Sequence, residues 1–305
     1  MKLKKENSDN LLLIYSIVFS IAFALVALLI GYLTSSQLIL FDGIFSLSSV
    51  ILTYMSFLSL KFIEKEDFKN YPFGKEAFEP FIVLGQYSII LVVSISNIVN
   101  AIQVILEGGR NVQIESGILY GVFSSIFCFG VLLYLKYRAN QNIAAIVEIE
   151  IEQWKFSFLF SLAMLLGFFI AWILTKTSFE PYVIFIDPIL NLLITLSFVK
   201  TSIIAIYNCM KELLQAAPSP ELTSLITKKV NSISNEYRFS NMVLRLAKVG
   251  GELIIEIDYV IEENSEMDSI LMQDLFRDKL AGSLAEVPFK KWLNVNFTGD
   301  IKWAK

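Results

Sequence analysis

The stretch Leu40–Val50, "LFDGIFSLSSV", lies within a long apolar segment and carries a single carboxylate, Asp42. The ten positions after Asp42 contain no basic residue, so its charge has no partner nearby in the sequence. An isolated charge at membrane depth costs several kcal/mol unless it is paired, protonated or hydrated. The segment therefore predicts a membrane-spanning helix, and Asp42 is a candidate functional residue within it.

The composition of the whole chain indicates a membrane protein. Of its 305 residues, 55% are hydrophobic and 18% are charged, and the mean hydropathy is +0.61. Soluble domains are about half apolar and about a quarter charged. The net charge of -4 argues against nucleic acid as a partner. The chain has two cysteines and no histidine, which argues against a disulfide framework and removes the commonest metal ligand.

Six stretches are long enough to cross a bilayer, which takes about 20 largely apolar residues. The predicted spans are Leu11–Leu33, Ile39–Ile63, Phe81–Leu106, Gly117–Tyr137, Glu150–Leu174 and Tyr182–Tyr207. Two of them carry polar residues, which predict packing against other helices or a cavity lining. These are the third span, with Gln86, Asn97, Asn100 and Gln103, and the fifth, which is entered through "EIEIEQWK".

Basic residues predict the orientation of these spans. Cytoplasmic connections carry more lysine and arginine than those on the opposite side of a membrane. One set of connections holds Lys2, Lys4, Lys5, Lys65, Lys69, Lys75 and Arg138, whereas the other holds only Arg110 and Lys176. Both termini are therefore expected in the cytoplasm.

A soluble domain is predicted after the sixth span, beyond the polar junction "KELLQAAPSPE". Ser219 and Pro220 are typical of a helix start. Two β-prone runs flank Gly250 and Gly251 and predict a hairpin. Ser265 with Asp268 resembles a capping box that opens a second helix, and "KWLNVNFTG" predicts a third strand.

The resulting order αββαβ predicts a ferredoxin-like α+β domain with its helices on one face of a short sheet. The expected division is a cytoplasmic tail at residues 1–10, a six-span domain at 11–207, and a cytoplasmic dimerisation or regulatory domain at 208–305.

Four stretches in order resemble the cation diffusion facilitator family. "FDGIFSLSSVILTYMSF" (Phe41–Phe57) is similar to its second span, and "YPFGKEAFEPF" (Tyr71–Phe81) to the start of its third. "SFLFSLAMLLG" (Ser157–Gly167) is similar to the fifth span, and "IDPILNLLI" (Ile186–Ile194) to the sixth. The junction "KELLQAAPSPEL" also resembles the family's linker into its cytoplasmic domain. The resemblance covers nearly the whole chain.

The resemblance implies a homodimer that exchanges divalent metal ions for protons by alternating access. The family's site takes two ligands from span two and two from span five, each pair at i and i+4. The matching residues here are Phe45 with Ser49 and Gln153 with Ser157. A phenyl ring supplies no lone pair and the other three are neutral, so this quartet should not hold zinc. Lys75 stands where the family has a further histidine.

Asp42 lies one turn before the family's first ligand position and suggests a site shifted along span two. Together with Asp187, it could form an all-oxygen site. The candidate metal ligands are Asp42, Ser46, Ser49, Gln153, Ser157 and Asp187, with Glu79 and Glu152 as weaker candidates. Oxygen ligands suit manganese, iron(II) or magnesium better than zinc. Asp187 has an alternative role at a helix end beside Pro188, and Glu152 an alternative as part of a solvated helix turn. A carboxylate could also carry the exchanged proton.

Three functional classes remain open. The favoured one is a divalent-cation efflux transporter with a rebuilt site, as a homodimer or a heterodimer with a related transporter. The alternative is a non-transporting partner or sensor subunit that has lost the metal site. An enzyme is least favoured, because the sequence shows no nucleophile–base pair and no phosphate loop. We expect no bound cofactor, and a bacterial inner membrane as the location.

Overall fold

The computed structural model describes residues 2–65, 67–138, 145–262 and 265–304. The chain divides into two compact units. The membrane unit comprises Met1–Leu58 and Gly85–Ala205, and the C-terminal unit comprises Ser59–Leu84 and Ile206–Lys305. The connection between the second and third spans thus belongs to the same compact unit as the C-terminal domain, which the sequence did not indicate.

The described residues contain six helices that are long and apolar enough to cross a membrane, as the hydropathy predicts. They are α1 (Lys2–Thr34), α2 (Gln37–Glu64), α3 (Phe78–Leu106), α4 (Ile114–Arg138), α5 (Ala145–Leu174) and α6 (Ile186–Leu213). A short 3-10 helix, Glu180–Phe185, precedes α6.

Most of the helices extend beyond the predicted spans, because hydropathy marks only the apolar part of a helix. α1 already begins at Lys2, within the stretch predicted as a tail, and α6 continues past Tyr207 to Leu213. α5 begins at Ala145 and not at Glu150, which places Gln153 about two turns into the helix.

Glycines let α4 and α5 approach closely. A methyl group at Gly117 of α4 would lie 2.7 Å from the ring of Phe168 of α5, and one at Gly121 would lie 3.0 Å from the backbone of Leu165. Small residues at helix contacts are typical of membrane bundles, because close packing replaces the hydrophobic driving force there. This close contact sets the rotation of α4 about its own axis and thereby the direction in which Tyr120 points.

The C-terminal domain has the predicted order αββαβ. Its elements are α7 (Pro220–Ser234), β1 (Asn241–Val249), β2 (Glu252–Val260), α8 (Ile270–Ser283) and β3 (Lys290–Thr298). β1 and β2 form an antiparallel hairpin, and β2 pairs with β3 in parallel, so that β2 is the central strand. The hairpin turns at Gly250, whose φ of +54° favours glycine.

Both helices of this domain pack on one face of the sheet, as predicted. The alternate residues Leu253, Ile255, Ile257 and Tyr259 of β2 are fully buried in one apolar cluster with Ile226 and Val230 of α7 and Phe276 and Leu280 of α8. Alternation along a strand puts such residues on the same face.

The capping box was the wrong start for α8. Ser265 caps a short 3-10 helix, Glu266–Asp268, where its hydroxyl accepts from the Met267 N–H. α8 begins four residues later, because Ser269 caps it by accepting from the Met272 N–H. Ser265 does cap a helical turn, but that turn is a separate 3-10 helix that ends before α8 begins.

Candidate cation site

Asp42 is a buried carboxylate with a neutral partner. It lies in the second turn of α2 and is only 4% exposed. The hydroxyl of Tyr120, on α4, donates a hydrogen bond of 2.7 Å to Oδ2 of Asp42. None of the ion pairs among the described residues involves Asp42. Among the residues that the structure describes, no positive side chain therefore pairs with this carboxylate.

Two serines follow Asp42 along the polar face of α2. The Ser46 hydroxyl donates to the Asp42 carbonyl at 2.8 Å, and the Ser49 hydroxyl donates to the Ser46 carbonyl at 3.0 Å. Such bonds to a preceding turn satisfy the hydroxyl proton within the helix. The hydroxyl oxygens keep lone pairs with which they could accept a proton or bind a cation.

Phe45, which the resemblance matches to the family's first ligand position, belongs to an aromatic cluster. The ring of Phe45 lies 4.3 Å from that of Phe198 on α6, measured between centroids. Phe198 also contacts Phe41 of α2 at 5.6 Å and Phe156 of α5 at 5.3 Å. These rings place apolar surface where the family pattern puts a metal ligand.

The α5 candidates are not hydrogen-bonded to Asp42 in the described residues. Gln153 and Ser157 are half-buried. The Ser157 carbonyl accepts from Ser161 at 2.9 Å. The side chain of Glu152 lies outside the described residues. The structure therefore places Gln153 and Ser157 on α5 without assembling them around the carboxylate.

Asp187 is held at the beginning of α2. It is 3% exposed, in the first turn of α6. Its Oδ1 accepts from the Ser36 hydroxyl at 2.5 Å, and its Oδ2 accepts from the Gln37 N–H at 3.1 Å. A carboxylate on free N–H groups caps a helix and complements its dipole. Asp42 is five residues further along α2, about 7 Å of helix rise, so the two acids have separate partners.

Asp187 also lines a cavity of about 200 Å³ in the membrane unit. The polar residues of the lining include Arg110, Asn111, Thr175 and Glu180. Arg110 donates to the Ser35 carbonyl at 3.3 Å, next to the serine that binds Asp187. The beginning of α2 is therefore bordered by both charged and polar groups.

Glu79 is in the first turn of α3 and belongs to the same compact unit as the C-terminal domain. Its carboxylate lies close to Gly250, in the turn between β1 and β2. Lys75, where the family has a histidine, donates to the carbonyls of Phe62 and Lys65 at 3.1 and 2.7 Å. Lys75 thus ties the α2–α3 connection to the end of α2. Within the ranges that the structure describes, no three His, Cys, Asp or Glu side chains are grouped to hold a metal.

A second polar network links α2, α3 and α6. The Asn97 amide donates to Asn191 Oδ1 at 2.9 Å and to the Thr195 hydroxyl at 2.8 Å, and Gln37 donates to Asn100 Oδ1 at 2.7 Å. Polar side chains between membrane helices commonly bond to each other in this way. The polar residues of the third span were visible in the sequence, but Tyr120 was missed. It lies 78 positions from Asp42, and nothing local marks it.

Comparison with known proteins agrees with this architecture. The sequence profile described as the cation efflux transmembrane domain matches residues 13–214, about two thirds of the chain. A protein of Methanocaldococcus jannaschii, named an uncharacterized transporter, is 39% identical over 67 residues. That alignment covers 22% of this chain and 24% of the relative, so the likeness spans about a quarter of the relative's length.

Proposed function

Because this chain belongs to the cation efflux family, we propose that it transports divalent metal cations across the membrane and that Asp42 binds them. The family match supports the activity. The observation that carries the residue assignment is the environment of Asp42, a buried carboxylate bonded to a neutral phenol.

This environment demands a positive partner. An ionised carboxylate in a low-dielectric interior costs several kcal/mol unless it is paired, protonated or wet. Since no described ion pair compensates Asp42, a bound cation or a proton is the partner that remains. A cation that binds must displace the proton, and the same carboxylate then couples cation movement to proton movement. The hydrogen bond from Tyr120 fixes the carboxylate for this exchange.

The chemistry of the neighbouring groups favours hard cations. The carboxylate of Asp42 and the hydroxyls of Ser46 and Ser49 are oxygen ligands, which suit manganese, iron(II) and magnesium better than zinc. Water, Gln153 or Ser157 would complete the coordination in a state in which α5 moves toward α2. Alternating access also requires the rings around Phe198 to part, because they close the family's ligand position.

The orientation, membrane and oligomeric state that we propose rest on the sequence and on its resemblance to the family. We place both termini in the cytoplasm because of the lysines around the first three spans, and the protein in a bacterial inner membrane as a homodimer or as a heterodimer with a related transporter. In this setting, binding from the cytoplasm and release on the opposite side constitute efflux.

The test is flux into liposomes that contain the purified protein, for manganese, iron(II), magnesium, zinc and cobalt. Three proteins are compared: the wild type, Asp42→Asn, and Asp67→Asn as a matched control. Asp67 is a carboxylate in the α2–α3 connection, where it binds Asn70. We expect manganese or iron(II) flux that Asp42→Asn abolishes and Asp67→Asn preserves. No flux of any ion from monodisperse wild-type protein would instead support a partner or sensor subunit.

A further inference from the structure

The α2–α3 connection presents aromatic side chains to the outside of the protein. Phe73 is 83% exposed, and Phe68 and Tyr71 are also exposed. Trp292, on β3, is 39% exposed, and its ring centroid lies 6.2 Å from that of Phe73. We call Phe68, Tyr71, Phe73 and Trp292 the aromatic patch. Large apolar groups exposed together usually mark an interaction surface.

The patch is continuous with the lipid-facing surface of the spans. Tyr71 contacts Phe62 of α2 at 5.7 Å, and Phe62 packs on Phe78 of α3 at 4.8 Å. Phe78 in turn contacts the exposed Phe81, one turn into the third span, at 6.3 Å. Phe73 is only five residues before the start of α3. A series of rings therefore leads from the membrane span to the patch.

The connection is held in a defined shape, so that the rings are presented as one face. Lys75 lies 4.3 Å from the ring centroid of Phe62 and donates to two carbonyls of the same unit. Gly74 adopts a φ of +85°, which permits the turn after Phe73. The ion pair between Glu76 and Lys290 ties the connection to the start of β3, two residues before Trp292.

Two exposed lysines lie beside the patch and offer positive charge to anionic headgroups. Lys65 and Lys69 are exposed in the connection. Of its described acids, Glu76 pairs with Lys290, whereas Asp67 accepts from the neutral amide of Asn70 at 2.9 Å and keeps its charge. Aromatic rings and lysines are the residues that settle at the headgroup level of a bilayer, and each lysine near an anionic surface is attracted to it.

We propose that the aromatic patch inserts into the headgroup layer of the membrane that the protein spans, with Lys65 and Lys69 bound to anionic lipid phosphates. Trp292 thereby makes the start of β3 a lipid contact of the C-terminal domain. This role is separate from cation transport and does not depend on Asp42.

The test places an environment-sensitive bimane label on the full chain at Phe73→Cys, reconstituted in lipid nanodiscs. Cys128 and Cys209 are both buried, so the new thiol is the accessible one. Wild-type protein, which lacks the introduced cysteine, is treated with the same label to measure the background. The discs contain phosphatidylcholine with a headgroup nitroxide quencher, with or without phosphatidylglycerol.

The matched control is Leu271→Cys, which is 70% exposed on α8. α8 returns the chain from the end of β2 to the start of β3, so its first turn lies at the opposite end of the sheet from Trp292. From Trp292 to the end of β3 the strand rises about 20 Å, which separates the control from the patch.

We expect the label at 73 to lose fluorescence with the quencher lipid, to lose more when phosphatidylglycerol is present, and to lose that extra part in Lys65→Gln/Lys69→Gln. The label at 271 should stay bright throughout. Equal brightness at both positions overturns the proposal. So does quenching at 73 by a second, nitroxide-labelled copy of the chain with none from the lipid, because the patch would then be a contact between copies.

Discussion

Removal of the Asp187 carboxylate distinguishes a structural cap from a cation ligand. In the structure, Asp187 accepts from the Ser36 hydroxyl and from the Gln37 N–H at the beginning of α2. Asp187→Ala leaves both donors without this acceptor, whereas Asp187→Asn keeps one acceptor oxygen and loses the charge. We therefore expect the alanine variant to unfold more easily than the asparagine variant.

The size of the effect follows from these two bonds. A hydrogen bond to a charged group contributes about 1.5–3 kcal/mol, and replacement of a helix cap by alanine costs about 0.5–2 kcal/mol. The Ser36 hydroxyl can turn to another acceptor, so the costs of the two lost bonds do not add in full. We expect a loss of about 3 kcal/mol in the free energy of unfolding for Asp187→Ala and of about 1 kcal/mol for Asp187→Asn.

The assay is unfolding in mixed micelles as sodium dodecyl sulfate is raised, followed by tryptophan fluorescence, with cation flux measured on the same preparations. Ser48→Ala is the control, since Ser48 is on α2 and donates to its own helix at Ile44. For a cap, Asp187→Asn retains flux in its folded fraction. Unchanged unfolding of Asp187→Ala together with complete loss of flux would refute the cap and make Asp187 a cation ligand.

Three further changes test other parts of the structure. Tyr120→Phe removes the hydroxyl that donates to Asp42. Because a lost hydrogen bond costs about 1.4 kcal/mol, we expect the apparent affinity for the cation in flux titrations to fall up to about tenfold. An unchanged affinity would argue against a role for this donor. Phe45→Ala removes a half-buried ring that packs on Phe198 and should lower the free energy of unfolding by about 2 kcal/mol. Phe45→Leu keeps an apolar side chain and should lower it less. Equal losses of stability in the two variants would contradict the packing of this ring. Burial raises the pKa of Glu76, but the hydrogen bond and charge of Lys290 outweigh burial and hold this pKa below its ordinary value. The ion pair therefore stabilises the C-terminal unit above about pH 4, and this stabilisation is lost as the pH falls through the lowered pKa. Glu76→Gln removes the titrating group and should make stability depend less on pH on the acid side. An acid side that is the same in wild type and variant would contradict this.

Local patterns predicted most of the fold. The six spans and the order αββαβ follow from hydropathy, turn residues and caps, each of which acts within a few positions of the chain. One local signal was misleading: Ser265 with Asp268 has the pattern of a capping box, but Ser269 is the residue that caps α8. The helix ends were also misplaced, because polar residues such as those before Leu11 can continue a helix that hydropathy does not mark.

The candidate site was only partly accessible to sequence reasoning. Asp42 stands out because a carboxylate within an apolar segment is costly wherever that segment packs. Its partner Tyr120 and the contact between Asp187 and Ser36 depend on which helices pack together, and the paired residues lie 78 and 151 positions apart. A single sequence carries no signal for such pairs. Asp42 and Asp187 are thus buried because of how the helices pack, and the packing gives the two acids different partners.

The central claim is that Asp42 binds the cation and exchanges it for a proton. The most direct measurement follows both in one sample: liposomes that contain the protein and an internal pH dye receive manganese outside, and manganese entry and internal pH are recorded together. We predict that manganese entry through wild-type protein makes the interior more alkaline as protons leave, and that Asp42→Asn shows neither change. Manganese entry and proton exit at wild-type rates in Asp42→Asn would contradict the account.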